Sequence, residues 1–270
     1  MFPIITIITS TFNCAEALEK TAASIREQSY ESIQWVVVDG ASNGPTLKVI
    51  DMNSDIITNW ISEPDEGIYD AWNKAIRMIK GDWVLFLGAG DLFDNEDALK
   101  NFWDQAPVDR DSYGALYGNV LFIEADGSPR YLSRKPNLRS WEFGRPTLPN
   151  HQGVLHNKSL FGGSNFDSSY KIAADTKFLL NALKSHSFRH IDITVSRMPT
   201  DGISNKVENI ALCNEEISRL CSELDITVPK FYLWRSSMNF AVIKLVHGVL
   251  PPKMLSGFKK FVDRLRSSTK

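Results

Sequence analysis

Apolar residues in this chain fall into short unbroken runs, separated by longer stretches in which they recur every three or four positions. The runs Ile4–Ile8, Gln34–Val38 and Trp83–Leu87 predict strands that are covered on both faces. The first two runs end on small polar residues. Between them, residues 15–28 carry one apolar stripe and predict a helix. Strands joined by helices are typical of a parallel, Rossmann-like α/β sheet.

The stretch from Glu63 to Asp91 combines a loop, a helix, a strand and a glycine-rich turn. Apolar positions from Ile68 to Ile79 form one stripe and predict a helix that ends near Lys80. Asp91 follows the next strand through a Gly-Ala-Gly turn, and open α/β sheets bind ligands outside the carboxyl ends of their strands. Asp91 is therefore a candidate functional acid, or else a cap for the helix expected from Asn95 to Trp103.

The rest of the chain alternates strands and helices more irregularly. The predicted elements are a strand at Ile56–Ile61, a strand at Leu116–Ile123 that turns back into Arg130–Leu132, a short strand after Gln152, a helix at Thr176–Ser185, a strand at Ile191–Val195 and a helix at Val207–Leu224. Asp175 stands at the start of one of these helices. It is either a structural cap or, in a cleft with a substrate hydroxyl, a general base.

Composition narrows the classes of function. A chain of 270 residues with 43% hydrophobic residues and a net charge of −2 predicts one large globular domain without a nucleic-acid partner. Its three cysteines form no metal-ligand spacing and no even disulfide set, which fits a reducing cytosol. We expect neither a signal peptide nor a transmembrane run. The first strand is not followed by G-x-G-x-x-G or a basic phosphate loop, which argues against dinucleotide binding and nucleotidyl transfer.

Charge is concentrated at the C-terminal end. Residues 230–270 hold nine Lys and Arg and one Asp, leaving 21 basic and 31 acidic residues in the first 229. After Pro251-Pro252, apolar residues from Leu255 to Leu265 form a stripe flanked by basic residues. Such a helix binds an anionic membrane interface or packs on the acidic body of its own chain. A second basic group, comprising Arg130, Arg134, Lys135 and Arg139, is either a phosphate contact or a solvated face.

Eight segments together resemble the motifs of inverting family 2 glycosyltransferases, and within them the subgroup that builds O-antigen, colanic-acid-type and other exopolysaccharide repeat units. In chain order they are ITIITSTFN, VVVDGASNGPT, ISEPDEGIYDAWNKAI, GDWVLFLGAGD, YGNVLFIEADG, HQGVLH, FDSSYKIAADTKFLL and DGISN. The resemblance implies a GT-A fold, an α/β architecture around a mostly parallel mixed sheet. We expect this domain at 1–229, with a donor half at about 1–115, an acceptor half at about 116–229 and a helical amphipathic tail at 230–270.

The resemblance also implies roles for particular positions. Those on the donor side are Thr9 and Asn13 in the first donor loop, Asp39 at the nucleobase, and Asp65, Asn73 and Lys74 in the helix motif. Asp91 matches the last acid of the metal-binding D-x-D, and Asp175 matches the catalytic base. His151 and Gln152 match an H-Q pair expected near the acceptor or the diphosphate.

The family chemistry implies a nucleoside-diphosphate sugar as donor, with Mg²⁺ or Mn²⁺ at its phosphates. Together with the basic tail, it implies a polyprenyl-diphosphate-linked glycan as acceptor at the inner leaflet of the cytoplasmic membrane. The chain departs from the family at Gly88-Ala89-Gly90-Asp91, which lacks two acids, at Asn43-Gly44-Pro45 and at Asn119. The alternative is a catalytically silent sugar-nucleotide binder or assembly partner with a decayed metal motif.

Overall fold

The computed structural model describes residues 4–124, 126–133, 135–138, 140–142, 145–162, 165–200 and 209–227. These residues group into two compact units, one comprising residues up to 137 together with 148–200, and the other 138–147 together with 209–227. The DGISN segment at 201–205, two members of the basic group (Arg134 and Arg139) and the tail at 230–270 lie outside the described residues.

The first unit alternates strands and helices in its N-terminal part and becomes strand-rich afterwards. Its strands are β1 (Ile5–Thr11), β2 (Ile33–Asp39), β3 (Ile57–Ser62), β4 (Trp83–Phe86), β5 (Leu92–Phe93), β6 (Ala115–Ile123), β7 (Pro129–Ser133), β10 (Val154–Asn157) and β11 (Phe188–Pro199). Its helices are α1 (Ala15–Arg26), α2 (Gly44–Met52), α3 (Ile68–Ile76), α4 (Ala98–Asp104) and α5 (Ala174–Ser185). The second unit holds the short strands β8 (Trp141–Glu142) and β9 (Arg145–Pro146) and the helix α6 (Ile210–Glu223).

One mixed sheet organises the first unit, in the order β3-β2-β1-β4-β10-β6-β11-β5, with β7 paired to β6. β1 is parallel to both β2 and β4, and β2 is parallel to β3, while β10 runs antiparallel between β4 and β6. The chain steps outward from β1 to β3 and then returns to the other side of β1 to form β4. The loops after β1 and β4 consequently diverge, and this is where open sheets bind ligands.

The two faces of the sheet have different cores. On one face, Trp83 and Leu85 of β4 join aliphatic and aromatic residues from α1, α2 and α4. On the other face, Phe86 of β4 packs against Trp72 of α3, with ring centroids 4.5 Å apart. Successive side chains of a strand point to opposite faces, so the apolar run in β4 serves both cores at once.

The predicted parallel start of the sheet and most predicted elements are confirmed, but several bounds differ. The helix α2 was not expected, because Asn43-Gly44-Pro45 suggests a turn; here Pro45 lies in the first turn of the helix, where its missing N–H costs nothing. Helix α3 ends at Ile76, four residues before Lys80, and the chain continues in tight turns such as Met78 N to Ala75 O at 2.9 Å.

Of the two acids for which helix capping was an alternative, Asp91 does not cap a helix, and Asp175 is not the N-cap residue, although its carboxylate accepts a hydrogen bond from the Thr176 N–H in the first turn. Helix α4 begins at Ala98 with Asp97 as its cap residue, so Asp91 lies too far upstream to cap it. Helix α5 begins at Ala174, which puts Asp175 inside its first turn. Strand β11 is longer than expected, because its pairing with β6 resumes after a register shift and continues to Pro199.

In the second unit, α6 buries Cys213, Ile217, Leu220 and Cys221 along one side, as the sequence periodicity predicts. β8 and β9 form a hairpin that is closed by hydrogen bonds between Ser140 and Thr147. Among the described residues, no helix is both long enough and apolar enough to cross a membrane.

Gly118 in β6 offers a test of how tightly the sheet is packed. A Cβ atom there would lie 2.6 Å from the Ile193 carbonyl oxygen and 2.6 Å from a Val195 methyl group. We expect Gly118→Ala to lower the free energy of unfolding by about 1–3 kcal/mol, because the backbone of β11 must move. Urea unfolding followed by circular dichroism measures this. The matched control is Gly44→Ala, where an added Cβ meets nothing within 4 Å; equal unfolding midpoints for the two variants would contradict the packing shown here.

Candidate functional site

Two of the acids singled out in the sequence, Asp39 and Asp91, lie at or just after the carboxyl ends of β2 and β4. Asp39 is the last residue of β2, and Asp91 follows β4 through a short turn. β1 lies between these two strands, so their ends are about 10 Å apart. This edge of the sheet can therefore present two carboxylates to one extended ligand.

Asp39 is fully buried and only half satisfied. Its Oδ2 accepts hydrogen bonds from the Ser42 backbone N–H at 2.8 Å and from the Ser62 hydroxyl at 2.6 Å. Its Oδ1 has no partner among the described residues. Asp39 therefore stabilises the turn that follows β2 through Oδ2, while its buried Oδ1 has no donor among the described residues. A buried acceptor without a donor costs about 1–3 kcal/mol, and a ligand N–H could remove that cost.

The loops after β1 and β2 are joined to each other. The Asn13 backbone N–H donates to the Ser42 hydroxyl at 2.7 Å, and the Asn43 backbone N–H donates to the Asn13 side-chain oxygen at 3.0 Å. Asn13 and Ala41 both adopt left-handed backbone conformations, with φ of 48° and 62°. Asparagine tolerates this region, whereas alanine is strained there. The two loops therefore hold one defined shape next to Asp39.

Phe12 is a candidate site residue that the sequence reasoning missed. Its ring is 63% exposed at the end of β1, although large apolar side chains are usually covered. The ring lies beside Gly40, where an added Cβ would be 3.3 Å from Phe12 and 2.7 Å from the Asp65 carboxylate. Asp65 in turn accepts a hydrogen bond from the Gly67 N–H at 3.0 Å. The aromatic residue before Asn13 was the signal available in the sequence.

Asp91 closes the glycine-rich turn after β4. Its carboxylate accepts a hydrogen bond from the Gly88 N–H at 3.0 Å, and the side chain of Gln152 is near enough to lower its pKa. Thr21 of α1 anchors the same turn, since its hydroxyl donates to the Asp91 carbonyl oxygen and accepts from the Gly90 N–H, both at 2.9 Å. Burial raises the pKa of Asp91 to about 7, and Gly88 and Gln152 oppose that rise.

His151 is buried inside a group of aromatic rings. We call this group the aromatic cluster; its members are Tyr69, Trp72, Phe86, His151, His156, Phe161, Phe166 and Phe178. His151 stacks on Trp72 at 4.9 Å with an interplanar angle of 8°. Neither of its ring nitrogens has a partner among the described residues. Burial, together with the nearby His156, lowers its pKa well below the usual value, so the imidazole is neutral.

Three of the predicted donor-binding residues, Thr9, Lys74 and Asn73, already form hydrogen bonds within the protein. The Thr9 hydroxyl donates to the Leu87 carbonyl oxygen at 2.8 Å and accepts from the Trp35 indole at 3.0 Å. Lys74 donates to the Pro64 carbonyl oxygen at 2.7 Å and lies 3.1 Å from Glu63. These contacts of Thr9 and Lys74 stabilise the neighbouring loops. A direct contact of either residue with a donor stays a prediction.

Asn73 likewise uses its side chain for hydrogen bonds within the protein. Its side chain donates to the Phe166 carbonyl oxygen at 2.8 Å and accepts from the Phe166 N–H at 2.9 Å. These two bonds connect α3 to the segment that precedes α5. Asn119, a departure noted in the sequence, is similarly engaged, since it donates to Asp192 at 2.9 Å and lies 3.0 Å from His190 Nε2.

Asp175, in the first turn of α5, contacts α3 through the side chain of Tyr69. Its Oδ1 accepts from the Thr176 backbone N–H at 2.6 Å and lies 3.2 Å from the Tyr69 hydroxyl. Desolvation raises the pKa of Asp175, while the bonds from Thr176 and Tyr69 act in the opposite direction. A carboxylate whose pKa is raised is a better proton acceptor once it is ionised. The structure thus has two carboxylates at the sheet edge, Asp39 and Asp91, and a separate buried acid, Asp175, whose raised pKa suits it to accepting a proton.

Comparison with known proteins places this site in context. The sequence model of Glycosyl transferase family 2 matches residues 6–171. The chain is 31% identical over 188 residues to an uncharacterized glycosyltransferase of Mycobacterium tuberculosis, covering 67% of this chain and 69% of that protein. It is 26% identical over 222 residues to a PGL/p-HBAD biosynthesis glycosyltransferase of Mycobacterium bovis, covering 76% and 80%.

Solved structures share the fold at low sequence identity. S. aureus TarS, solved in complex with UDP-GlcNAc, superposes with a TM-score of 0.59 at 17% identity, over 82% of this chain and 71% of that one. The mannosyltransferase PcManGT from Pyrobaculum calidifontis, solved with GDP-Man and Mn²⁺, gives a TM-score of 0.59 at 17% identity, over 97% and 80%. Because the family model covers more than half of its length, the chain belongs to glycosyltransferase family 2.

Proposed function

We propose that this protein is an inverting glycosyltransferase that moves a sugar from a nucleoside diphosphate to a glycan acceptor. The observation that carries the proposal is the buried carboxylate oxygen of Asp39, which lacks a donor at the end of β2 beside the exposed ring of Phe12. A nucleobase offers an N–H to the former and a flat face to the latter. Sugar nucleotides occupy TarS and PcManGT, which share this fold.

In this proposal the donor extends from Asp39 toward Asp91. The nucleobase stacks on Phe12 and donates to Asp39, while Asn13 and Asp65 border the nucleoside. The diphosphate then reaches the turn at Gly88–Asp91. Aromatic stacking and one hydrogen bond to a buried carboxylate both favour the bound state.

A divalent ion fits the far end of this path only if it is shared with the donor. In the described part of the chain, no three His, Cys, Asp or Glu side chains converge on one point. Asp91 and Gln152 supply oxygen atoms of the kind that Mg²⁺ and Mn²⁺ accept, and these ions readily complete their shells with phosphate and water. When bound, the ion would offset negative charge on the departing diphosphate.

The transfer itself needs one proton acceptor. Asp175 takes the proton of an acceptor hydroxyl as that oxygen bonds to the anomeric carbon, and the bond from this carbon to the diphosphate oxygen breaks. One displacement inverts the anomeric centre, and the nucleoside diphosphate leaves with the bonding electrons. The side chain of Gln152 acts on Asp91, which suits a position of the His151-Gln152 pair near the diphosphate.

We further place the acceptor in the class of polyprenyl-diphosphate-linked glycans of the O-antigen and exopolysaccharide type. The support is the motif set in the sequence and the basic, amphipathic residues 230–270, which would contact the anionic inner leaflet. The M. bovis relative carries the name of a PGL/p-HBAD biosynthesis enzyme. The silent-binder alternative is favoured by a single observation, the lone acid in the Gly88–Asp91 turn, and it predicts donor binding without turnover.

Donor binding tests the first step. Selective binding to the native state raises the melting temperature, so we expect UDP-GlcNAc or GDP-mannose with Mn²⁺ to produce a shift. Phe12→Ala and Asp39→Asn should each weaken binding roughly 10-fold or more, because each removes one base contact. Tyr131→Ala, a partly exposed aromatic residue on β7, controls for loss of an aromatic side chain elsewhere. Unchanged affinity in both site variants would rule out this nucleobase position.

Metal dependence tests Asp91. We expect Asp91→Asn to abolish the extra thermal shift that Mn²⁺ adds to the nucleotide, since a neutral amide is a weaker ligand for a hard cation. Nucleotide binding in the absence of metal should persist. Titration by calorimetry, with EDTA-treated protein as the reference, measures both quantities. An Asp91→Asn variant that retains the full Mn²⁺ effect would exclude this residue as a ligand.

Turnover tests Asp175. We expect Asp175→Asn to reduce release of UDP or GDP from the donor by about 10²–10⁴-fold while donor affinity stays unchanged. Water serves as the acceptor in this assay, which therefore needs no identified glycan. The control is Asp109→Asn, an exposed aspartate between α4 and β6. Wild-type turnover in Asp175→Asn would remove this residue as the base, and absence of turnover in the wild-type protein would favour the silent binder.

A further inference from the structure

Tyr69 is the residue through which α3 reaches Asp175, and no motif assignment gives it a role. Its ring is 4% exposed. It stacks on Phe166 at 5.9 Å and meets Trp72 edge-on at 5.4 Å. The aromatic cluster therefore fixes the ring, and the phenolic oxygen has little freedom to move. Gly67, the residue before α3, has φ of +127°, a conformation that favours glycine.

The phenolic oxygen lies between two acceptors of the α5 entry segment. It is 2.5 Å from the Ile172 carbonyl oxygen and 3.2 Å from Asp175 Oδ1. A phenol has one proton to donate, so the hydroxyl shares it between the Ile172 carbonyl oxygen, the closer acceptor, and the Asp175 carboxylate. The second donor to the same carboxylate oxygen is the Thr176 N–H at 2.6 Å.

We propose that Tyr69 is a positioning residue that orients the carboxylate of Asp175 and favours its ionised form. This inference rests on the proposed role of Asp175 as the base. Tyr69 touches neither the donor nor the acceptor in this scheme. It acts by holding one carboxylate oxygen, Oδ1, against α3 and α5, which leaves Oδ2 to receive the proton of the attacking hydroxyl.

The surroundings of Asp175 make this one hydrogen bond important. Desolvation raises the pKa of Asp175, and the groups that oppose this rise are Thr176 and Tyr69. No charged neighbour contributes to the shift among the residues described. The nearest ion pair along α5 joins Lys177 to Asp167 at 2.6 Å, and Lys171 donates to the Glu66 carbonyl oxygen. A neutral phenol thus does what a cation does beside many other buried carboxylates.

The direct test is the pKa of Asp175 itself, read by NMR from aspartate labelled with ¹³C at Cγ and assigned with the Asp175→Asn variant. We expect a higher pKa in Tyr69→Phe than in the wild-type protein, because the ionised form loses a donor. Tyr131→Phe is the matched control, since Tyr131 is 43% exposed on β7 and stacks on Phe122. Equal Asp175 pKa values in wild type and Tyr69→Phe would overturn the inference, whatever the enzyme's activity.

Kinetics then separate positioning from a merely structural role. With UDP-GlcNAc or GDP-mannose and water as acceptor, Tyr69→Phe should lower kcat roughly 10- to 100-fold at neutral pH, with KM unchanged. The rising limb of the pH profile should move to higher pH, since the base must be ionised. Site-specific 3-fluorotyrosine at position 69, a stronger donor, should move it to lower pH. A fold defect alone would shift neither limb in this paired, opposite manner.

The outcomes also separate this inference from the proposed function. If Asp175→Asn retains turnover, the base assignment fails, although the NMR result still reports the Tyr69 bond. If Asp175→Asn is inactive while Tyr69→Phe keeps the wild-type kcat and pH profile, the base assignment stands and the positioning role of Tyr69 is wrong.

Discussion

The aromatic cluster around α3 is the packing on which the arrangement of this protein depends. Trp72 contacts Phe86 of β4 and His151, while Tyr69 and Asn73 reach Phe166. Pairs of this kind contribute about 0.5–1.5 kcal/mol each beyond the area that they bury. Their geometry matters more, because rigid rings in contact fix the relative positions of the strand and helices that carry them. The strand before Asp91 and the helix that carries Asp175 are thereby set against the same short helix.

That packing also explains why several polar groups can stay buried without partners. The Trp72 indole N–H, both nitrogens of His151 and one nitrogen of His156 all lack a hydrogen bond among the described residues. Burial lowers the pKa of His156 to about 4, so both imidazoles enter the core as neutral aromatic rings. Each unsatisfied group costs free energy, and the dense ring contacts offset that cost. Functional sites commonly tolerate such a local loss of stability.

The candidate site contains two kinds of residue. Some would contact a ligand, and others hold those residues in place. The first kind lies along the sheet edge and comprises Asp39, Phe12 and Asn13. The second kind forms its hydrogen bonds within the protein and comprises Thr9, Asn73 and Lys74. The motif resemblance groups both kinds together, since a family preserves its scaffold as well as its chemistry. A hydrogen-bond inventory distinguishes them, because a side chain whose donors and acceptors are all engaged has little left for a ligand.

Much of the fold followed from the sequence by itself, because the signals concerned are local. The buried runs in β1, β2 and β4, the stripe of α1 and the order of strands and helices are properties of neighbouring residues. The resemblance added the family and the candidate acids. Helix α2 and the tiny strand β5 were missed, since the former begins with a Gly-Pro turn signal and the latter has only two residues.

Only the tertiary structure decided what each polar residue does. Long-range packing leaves one oxygen of Asp39 without a donor among the described residues, brings Gln152 near enough to Asp91 to lower its pKa, and sets Tyr69 against Asp175, 106 positions away. Hydrogen bonds and desolvation depend on distances of a few ångströms between distant parts of the chain, and no local pattern encodes those distances. The sequence thus established the family and the strand-and-helix frame, whereas folding selected which side chains remain free for chemistry.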